Sequence, residues 1–81
     1  MSKSHTYSNP YDVDAYVTRD HATVDGVVWY TIDCTRSVAD WIRTQDRSQY
    51  YSHTPPVYAK VYGNVFDLHK NLYLMLGLVW T

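Results

Sequence analysis

The feature that most constrains the fold of this 81-residue chain is a hairpin signal at Asp25-Gly26. Both residue types tolerate the positive φ angles of a two-residue turn, and a valine flanks the pair on each side. Apolar and polar side chains alternate along the chain before and after this turn, as they do in half-buried strands. The sequence therefore predicts an antiparallel hairpin over residues 11–34.

The position of the turn also predicts which residues of the hairpin face each other. Counting outward from the turn pairs Val17 with Cys34 and Arg19 with Ile32. Residues 19–23 are too polar for the apolar face of a strand, so we expect a bulge or a looser loop there.

A helix and a third strand are predicted after the hairpin. Apolar residues recur at helical spacing over residues 38–48, which predicts an amphipathic helix with arginines on its opposite face. Residues 57–62 alternate again and predict a strand. Together these elements give an α+β fold, in which a small antiparallel sheet of the hairpin and strand 57–62 packs against one helix.

The C-terminal segment 65–80 is compatible with two structures. As a helix it carries an apolar stripe, and its leucines and methionine favour that state. As further strands it forms a hairpin with residues 57–62 around Gly63-Asn64, which places Val61 opposite Phe66. We favour the helix because unbranched apolar residues dominate the segment.

Length and composition indicate one small domain. Residues 1–10 are polar and end at a proline, which predicts a mobile arm, and residues 11–81 are expected to form a single domain. A chain this short buries little core, so self-association would add apolar burial. Leu74, Leu78 and Trp80 are the candidate contacts of a homodimer, because they make the C-terminal segment apolar on more than one side.

Charge and cysteine content limit the functional classes. The net charge is −1, so the chain as a whole does not attract nucleic acid or an anionic membrane. A single cysteine, Cys34, allows no internal disulfide and no cysteine-rich zinc site. No signal-peptide core is present near Met1, and the longest apolar run is far shorter than the ~20 residues that span a bilayer. We therefore expect a cytoplasmic protein that is not embedded in a membrane.

No motif for catalysis, a cofactor or a metal is evident in the sequence. Cys34 falls on the inward face of a strand, which favours a small buried side chain over a nucleophile. The histidines lack the spacing that brings two imidazoles onto one metal, and the glycines stand apart rather than forming a phosphate-binding loop. The sequence predicts a protein without enzymatic activity, cofactor or metal.

Aromatic content is the main functional signal. Nine tyrosines, three tryptophans and one phenylalanine exceed what a small core takes up, and partly exposed tyrosines are typical of protein-binding surfaces. We expect a non-enzymatic protein-binding module, of the kind that phages and mobile elements encode as small inhibitors or adaptors, acting through aromatic and charged patches. The candidate partner-binding residues are Trp29, Arg36, Arg43, Arg47, Tyr58, Lys60 and Tyr62.

A single-stranded nucleic-acid-binding protein is the alternative. Tyr58, Lys60 and Tyr62 would share one strand face, an arrangement in which bases stack on rings beside a cation. The arginines of helix 38–48 would add contacts to phosphates. The same pattern also fits an ordinary exposed strand, so the sequence leaves both ligand classes open.

Overall fold

A computed structural model describes residues 15–53 and 61–80 of the chain. They form an antiparallel four-stranded sheet and two α-helices, which confirms the predicted α+β fold. The strands are β1 (Tyr16–Val24), β2 (Val27–Cys34), β3 (Tyr50–His53) and β4 (Asn64–His69), and the helices are α1 (Arg36–Arg43) and α2 (Lys70–Val79). The strand order across the sheet is β1-β2-β4-β3, so β1 and β3 are its edges.

The predicted hairpin forms around Asp25-Gly26. The two turn residues have positive φ angles of 51° and 80°, which aspartate and glycine adopt more readily than most residues. β1 and β2 pair antiparallel on either side, and the expected bulge lies between Thr18 and Asp20. Residues 11–14, which the sequence places in the hairpin, and the predicted arm at residues 1–10 lie outside the described residues.

The predicted register of the hairpin is wrong beyond the bulge. Tyr16 pairs with Cys34, and Thr18 pairs with Ile32. Counting from the turn instead predicts Val17 opposite Cys34 and Arg19 opposite Ile32. The extra residue in β1 shifts every later pair by one position and turns Tyr16 to the face that carries the core. Its ring is therefore half-buried against the core instead of pointing away from it.

Helix α1 starts earlier and ends sooner than the predicted helix 38–48. After α1, the side chain of Asp46 accepts a hydrogen bond from the Ser48 amide and starts a separate 3-10 turn, Arg47–Gln49. This turn uses the last residues of the predicted helix and leads directly into β3. A side chain that caps a new turn competes with continuation of the preceding helix.

The C-terminal segment 65–80 is part strand and part helix. Its first residues belong to β4, and α2 begins at Lys70. The helix prediction is confirmed for the second part of the segment, and the strand alternative is correct for the first. His69 marks the boundary, because its Nδ1 accepts a hydrogen bond from the Asn71 amide at 3.0 Å and caps α2.

Strand β4 is not paired as the sequence predicts. It lies between β2 and β3. Phe66 therefore pairs with Ser52 of β3, whereas the strand alternative predicts Val61 as its partner. The hairpin predicted around Gly63-Asn64 is therefore wrong, because both sides of β4 have other partners. The first four residues of the predicted strand 57–62 lie outside the described residues, and its last two belong to a bend.

Both helices pack on one face of the sheet and enclose the core with it. The core contains Ile32, Cys34, Tyr50, Phe66 and Leu68 from the strands and Val38, Ala39, Ile42, Leu72 and Leu76 from the helices. On the other face, called the open face below, lie the odd-numbered residues of β2, β3 and β4. No helix of the described part of the chain covers the open face.

Candidate functional site

One end of the open face is closed by a bend at residues 61–63. The buried carboxylate of Asp33 accepts hydrogen bonds from the backbone amides of Val61, Tyr62 and Gly63. Three amides that converge on one carboxylate form a strong, charge-assisted anchor. The bend is therefore fixed on the sheet, and Tyr62, a predicted partner-binding residue, is half-buried there.

The other end of the open face is a groove of about 360 Å³, called the open-face groove below. Its aromatic wall consists of Trp29, Tyr51 and His69. The ring centroid of Trp29 lies 5.2 Å from that of Tyr51 and 5.4 Å from that of His69. The hairpin end of the sheet adds apolar side chains, and Tyr51 is 62% exposed. The groove thus combines aromatic and apolar surface that remains accessible.

A hydrogen-bond network fixes the polar part of this groove. The Asp67 Oδ1 atom accepts a hydrogen bond from the Thr31 hydroxyl at 2.5 Å, and its Oδ2 atom lies 2.6 Å from Nε2 of His53. The side chains of Asp67 and His53 are both partly exposed. Partners on both neighbouring strands therefore hold the carboxylate in one position.

An aspartate bound to a histidine orients the imidazole, which is one requirement of a general base. A covalent mechanism also needs an activated nucleophile beside that base. The Thr31 hydroxyl donates to Asp67, and the predicted burial of Cys34 is confirmed. Burial, and then the charge of Asp33, raise the pKa of the Cys34 thiol to about 12. The described residues place no activated nucleophile beside His53.

A second groove, of about 500 Å³, lies beside β3 and is called the arginine groove below. The guanidinium carbon of Arg43 lies 5.5 Å from the ring centroid of Phe66, and that of Arg47 lies 5.9 Å from the ring centroid of Tyr50. Cations at these distances from ring centroids are attracted by the aromatic faces. Tyr51 lines both grooves, so the two grooves adjoin at the edge of the sheet.

The fold brings some of the predicted partner-binding residues together and separates others. Trp29 lines the open-face groove, and Arg43 and Arg47 line the arginine groove. Arg36 is exposed on α1 and is not among the lining residues of either groove. Two predicted residues lie outside the described part of the chain: Tyr58 and Lys60.

Four residues of the open face are not among the predicted partner-binding residues: Tyr51, His53, Asp67 and His69. Two of them belong to β3, which the sequence analysis missed, and the other two to the last half of β4. The run Tyr50–His53 contains two tyrosines ahead of a proline pair, and aromatic residues favour strands. That short signal could have identified β3 and placed its two odd-numbered residues on one face.

The exposed side of α2 carries four large apolar side chains, Leu74, Met75, Leu78 and Val79. Two of them, Leu74 and Leu78, are predicted contacts of a homodimer. The third predicted contact, Trp80, is half-buried, and its ring meets that of Trp41 edge to face at 5.2 Å between centroids. Leu74 and Leu78 are therefore exposed for contact with a second copy, whereas the ring of Trp80 is partly covered by Trp41.

In residues 15–53 and 61–80, no three histidine, cysteine or acidic side chains are grouped closely enough to hold a metal ion. The longest helix among these residues, α2, has 10 residues, and none has the length and apolarity needed to cross a membrane. Comparisons of the chain with protein-family models, curated proteins and solved structures find no match. What the protein binds must be inferred from its own residues.

Proposed function

We propose that this protein is a non-enzymatic binding module whose partner is another protein, and that the partner docks in the open-face groove. The observation that carries the proposal is the contact of Trp29 with Tyr51 and His69 in an accessible groove. Stiff, partly exposed aromatic side chains are enriched where proteins meet, and binding energy concentrates in the pockets that they line.

The charges of the open-face groove favour a protein partner over nucleic acid. Asp25 and Asp67 line it, and no lysine or arginine is among its described lining residues. Bases that stacked on Trp29 or Tyr51 would bring phosphates close to these carboxylates, and like charges repel. A protein side chain can enter the groove without that repulsion.

Binding of single-stranded nucleic acid is a second candidate function, and it belongs to the arginine groove. Arg43 and Arg47 lie there beside the exposed ring of Tyr51, which combines cations with a stacking surface. Arg43 is also paired with Asp40 at 3.2 Å, and this pairing leaves less positive charge for phosphate. We therefore place the protein partner first.

An inhibitor or adaptor, such as phages and mobile elements encode, would act by occupying a surface of its partner. Asp33 anchors one end of the open face and Asp67 fixes the other, so the docking surface is formed before the partner arrives. Preorganisation of this kind lowers the entropic cost of binding. We place the protein in the cytoplasm, whose reducing conditions keep the single thiol of Cys34 free.

Affinity capture from a lysate of the source cells tests the proposal. The immobilised chain is incubated with lysate, with and without nuclease, and the retained material is identified by mass spectrometry. We expect a protein that is retained after nuclease treatment by the wild type and by Arg47→Ser, which changes only the arginine groove, and that is lost with Tyr51→Ser. The Tyr51 ring is exposed, so its removal costs little stability.

The matched control for this experiment is His21→Ser. His21 is also exposed, and it pairs with Tyr30 on the helix-bearing face of the same sheet. This variant should retain the same protein as the wild type. Recovery of nucleic acid alone, or equal retention of the protein by Tyr51→Ser, would contradict the proposal.

A further inference from the structure

The charge and the ring geometry of the open-face groove indicate which side chain a partner inserts. We infer that the groove binds a cationic side chain of the partner protein, and that arginine fits it best. This inference rests on the proposed function, because it specifies the residue that the same groove accepts.

The aromatic wall offers ring faces to a cation. The rings of Trp29 and Tyr51 are tilted by 41° with their centroids 5.2 Å apart, and His69 meets Trp29 edge-on at 75°. The His69 ring is held in place by a hydrogen bond from the amide of Asn71, so the indole of Trp29 packs against a fixed ring. Tryptophan is the strongest aromatic partner of a cation and tyrosine is also effective.

Two carboxylates complete a site for positive charge. Asp67 uses each of its oxygens once, for Thr31 and for His53, and a carboxylate oxygen can accept more than one hydrogen bond. Asp25 adds a second negative charge at the hairpin end of the groove. A guanidinium group is planar, stacks on aromatic faces and donates paired hydrogen bonds to carboxylates. Arginine therefore matches both halves of the groove.

An apolar side chain is the competing occupant, and the charges disfavour it. Closing the groove with an apolar group would remove water from the carboxylate of Asp67 without supplying a positive charge in return. Asp67 keeps its bonds to Thr31 and His53, but the loss of its remaining water, with no new partner in return, opposes binding. A cationic side chain replaces the lost water and compensates the charge.

Small ligands that differ in charge but hardly in shape test the inference. N-acetyl-arginine amide, N-acetyl-citrulline amide and N-acetyl-norleucine amide are titrated into the ¹⁵N-labelled full chain, and the indole N–H signals are followed by NMR. We expect the arginine derivative to shift the Trp29 signal and to leave those of Trp41 and Trp80 in place. Its affinity should exceed that of the citrulline derivative by about two- to fivefold, the range of an exposed cation–π contact.

Charge-removing variants locate the effect. Asp67→Asn should reduce the preference for arginine over citrulline. Asp25→Asn should do the same without touching Thr31 or His53, and asparagine tolerates the positive φ of this turn position. Asp40→Asn is the matched control, because it neutralises an exposed acid on α1 that lines neither groove, and it should leave the preference unchanged.

Equal or tighter binding of the citrulline or norleucine derivative would overturn the cationic inference. It would still leave the groove as a binding site if the Trp29 signal shifts. A Trp29 signal that none of the three ligands moves, up to their solubility limits, would also overturn the inference. The capture experiment with Tyr51→Ser decides the proposed function separately, since it depends on the partner's presence and not on the charge of its side chain.

Discussion

Single side chains determine the shape of the open face at both of its ends. At one end, Asp33 accepts hydrogen bonds from the backbone amides of the bend. At the other end, Asp67 is hydrogen-bonded to Thr31 of β2 and to His53 of β3. In the sequence Asp33 looks like a solvated residue on the polar face of a strand, and Asp67 looks like one on the polar side of the helix favoured for residues 65–80. The bend that Asp33 anchors begins 28 residues later in the chain, so local sequence gives no sign of its role.

The Asp33 anchor predicts a graded loss of stability. The Oδ1 atom of Asp33 accepts hydrogen bonds from the amides of Tyr62 and Gly63, whereas its Oδ2 atom accepts one from the amide of Val61. Asp33→Asn keeps the first two bonds but sets an NH₂ group against the Val61 amide. We expect it to lower the free energy of unfolding by about 2 kcal/mol, as measured by urea denaturation. Asp33→Ala should cost more, because all three amides lose their acceptor.

Asp20→Asn is the control for the Asp33 variants, since Asp20 is an exposed acid on β1. Its effect on the free energy of unfolding should stay within about 0.5 kcal/mol. Wild-type stability of Asp33→Asn would refute the anchoring role of the carboxylate.

Cys34 predicts a loss of stability at alkaline pH. Its thiol pKa rises from 9.0 to about 12 on folding, chiefly because the side chain is buried. The unfolded chain therefore releases this proton first, so the contribution of the buried thiol is complete below pH 9 and is lost as the pH rises toward 12. We expect the stability advantage of the wild type over Cys34→Ala in urea denaturation to shrink between about pH 9 and about pH 11.

The wild type and Cys34→Ala contain the same tyrosines. The effect of tyrosine titration on the free energy of unfolding therefore cancels when the two proteins are compared. An advantage that stays constant across this pH range would show that the thiol ionises as easily in the folded chain as in the unfolded one.

Elements whose structure is decided locally were predictable, and those decided by distant partners were not. The turn at Asp25-Gly26 and the bulge of β1 follow from neighbouring residues, and both predictions are confirmed. β3 has four residues and lies at an edge, where its only described strand partner is β4. β4 is a strand because β2 and β3 pair with it on both sides, although its single leucine, Leu68, suits a helix as well as the leucines of α2 do. Similarly, the open-face groove depends on the register of strands that are far apart in sequence.

At the scale of elements, the exposed apolar side of α2 predicts that the chain forms a homodimer. Its exposed side carries Leu74, Met75, Leu78 and Val79, and the charged residue on this side, Lys70, lies at the first position of the helix, so two copies can pair their apolar residues about a two-fold axis with Lys70 at the rim. Leu78 is 78% exposed, so Leu78→Asp should leave the fold intact and convert the dimer to a monomer. Sedimentation at micromolar concentrations measures this change.

Ser37→Asp is the control for the dimer, because it adds the same charge at an exposed position of α1. It should leave the sedimentation behaviour of the wild type unchanged. A wild type that stays monomeric at high micromolar concentration, whatever residue stands at position 78, would exclude dimerisation through α2.

At the scale of the whole molecule, the two layers separate two surfaces. The open-face groove lies on one side of the sheet, and the exposed apolar side of α2 belongs to the helix layer on the other. Dimerisation through α2 would therefore leave the groove of each copy accessible. A dimer of this kind would present two docking grooves, which increases avidity for a partner that is itself multivalent.

The charge of the whole molecule predicts weak binding to nucleic acid. The net charge is −1, and the cations that the sequence analysis assigns to a nucleic-acid contact are Arg36, Arg43, Arg47 and Lys60. With about four phosphates neutralised at most, log K should change with log salt by a slope no steeper than about −3. We expect no appreciable binding to a labelled single-stranded oligonucleotide in fluorescence anisotropy at about 150 mM salt. Sub-micromolar binding at this salt concentration, abolished by Arg43→Ser and Arg47→Ser, would favour nucleic acid over a protein as the partner.

The tryptophans allow the most direct test of the central claim, that a protein partner docks on the open face. Trp29 lies in the open-face groove, whereas Trp41 and Trp80 pack against each other in the helix layer. The chain is labelled with 5-fluorotryptophan, the ¹⁹F resonances are assigned with single Trp→Phe variants, and the captured partner is added. We predict that the Trp29 resonance shifts and that the Trp41 and Trp80 resonances keep their positions. A shift of the Trp41 and Trp80 resonances with that of Trp29 unchanged would contradict the claim.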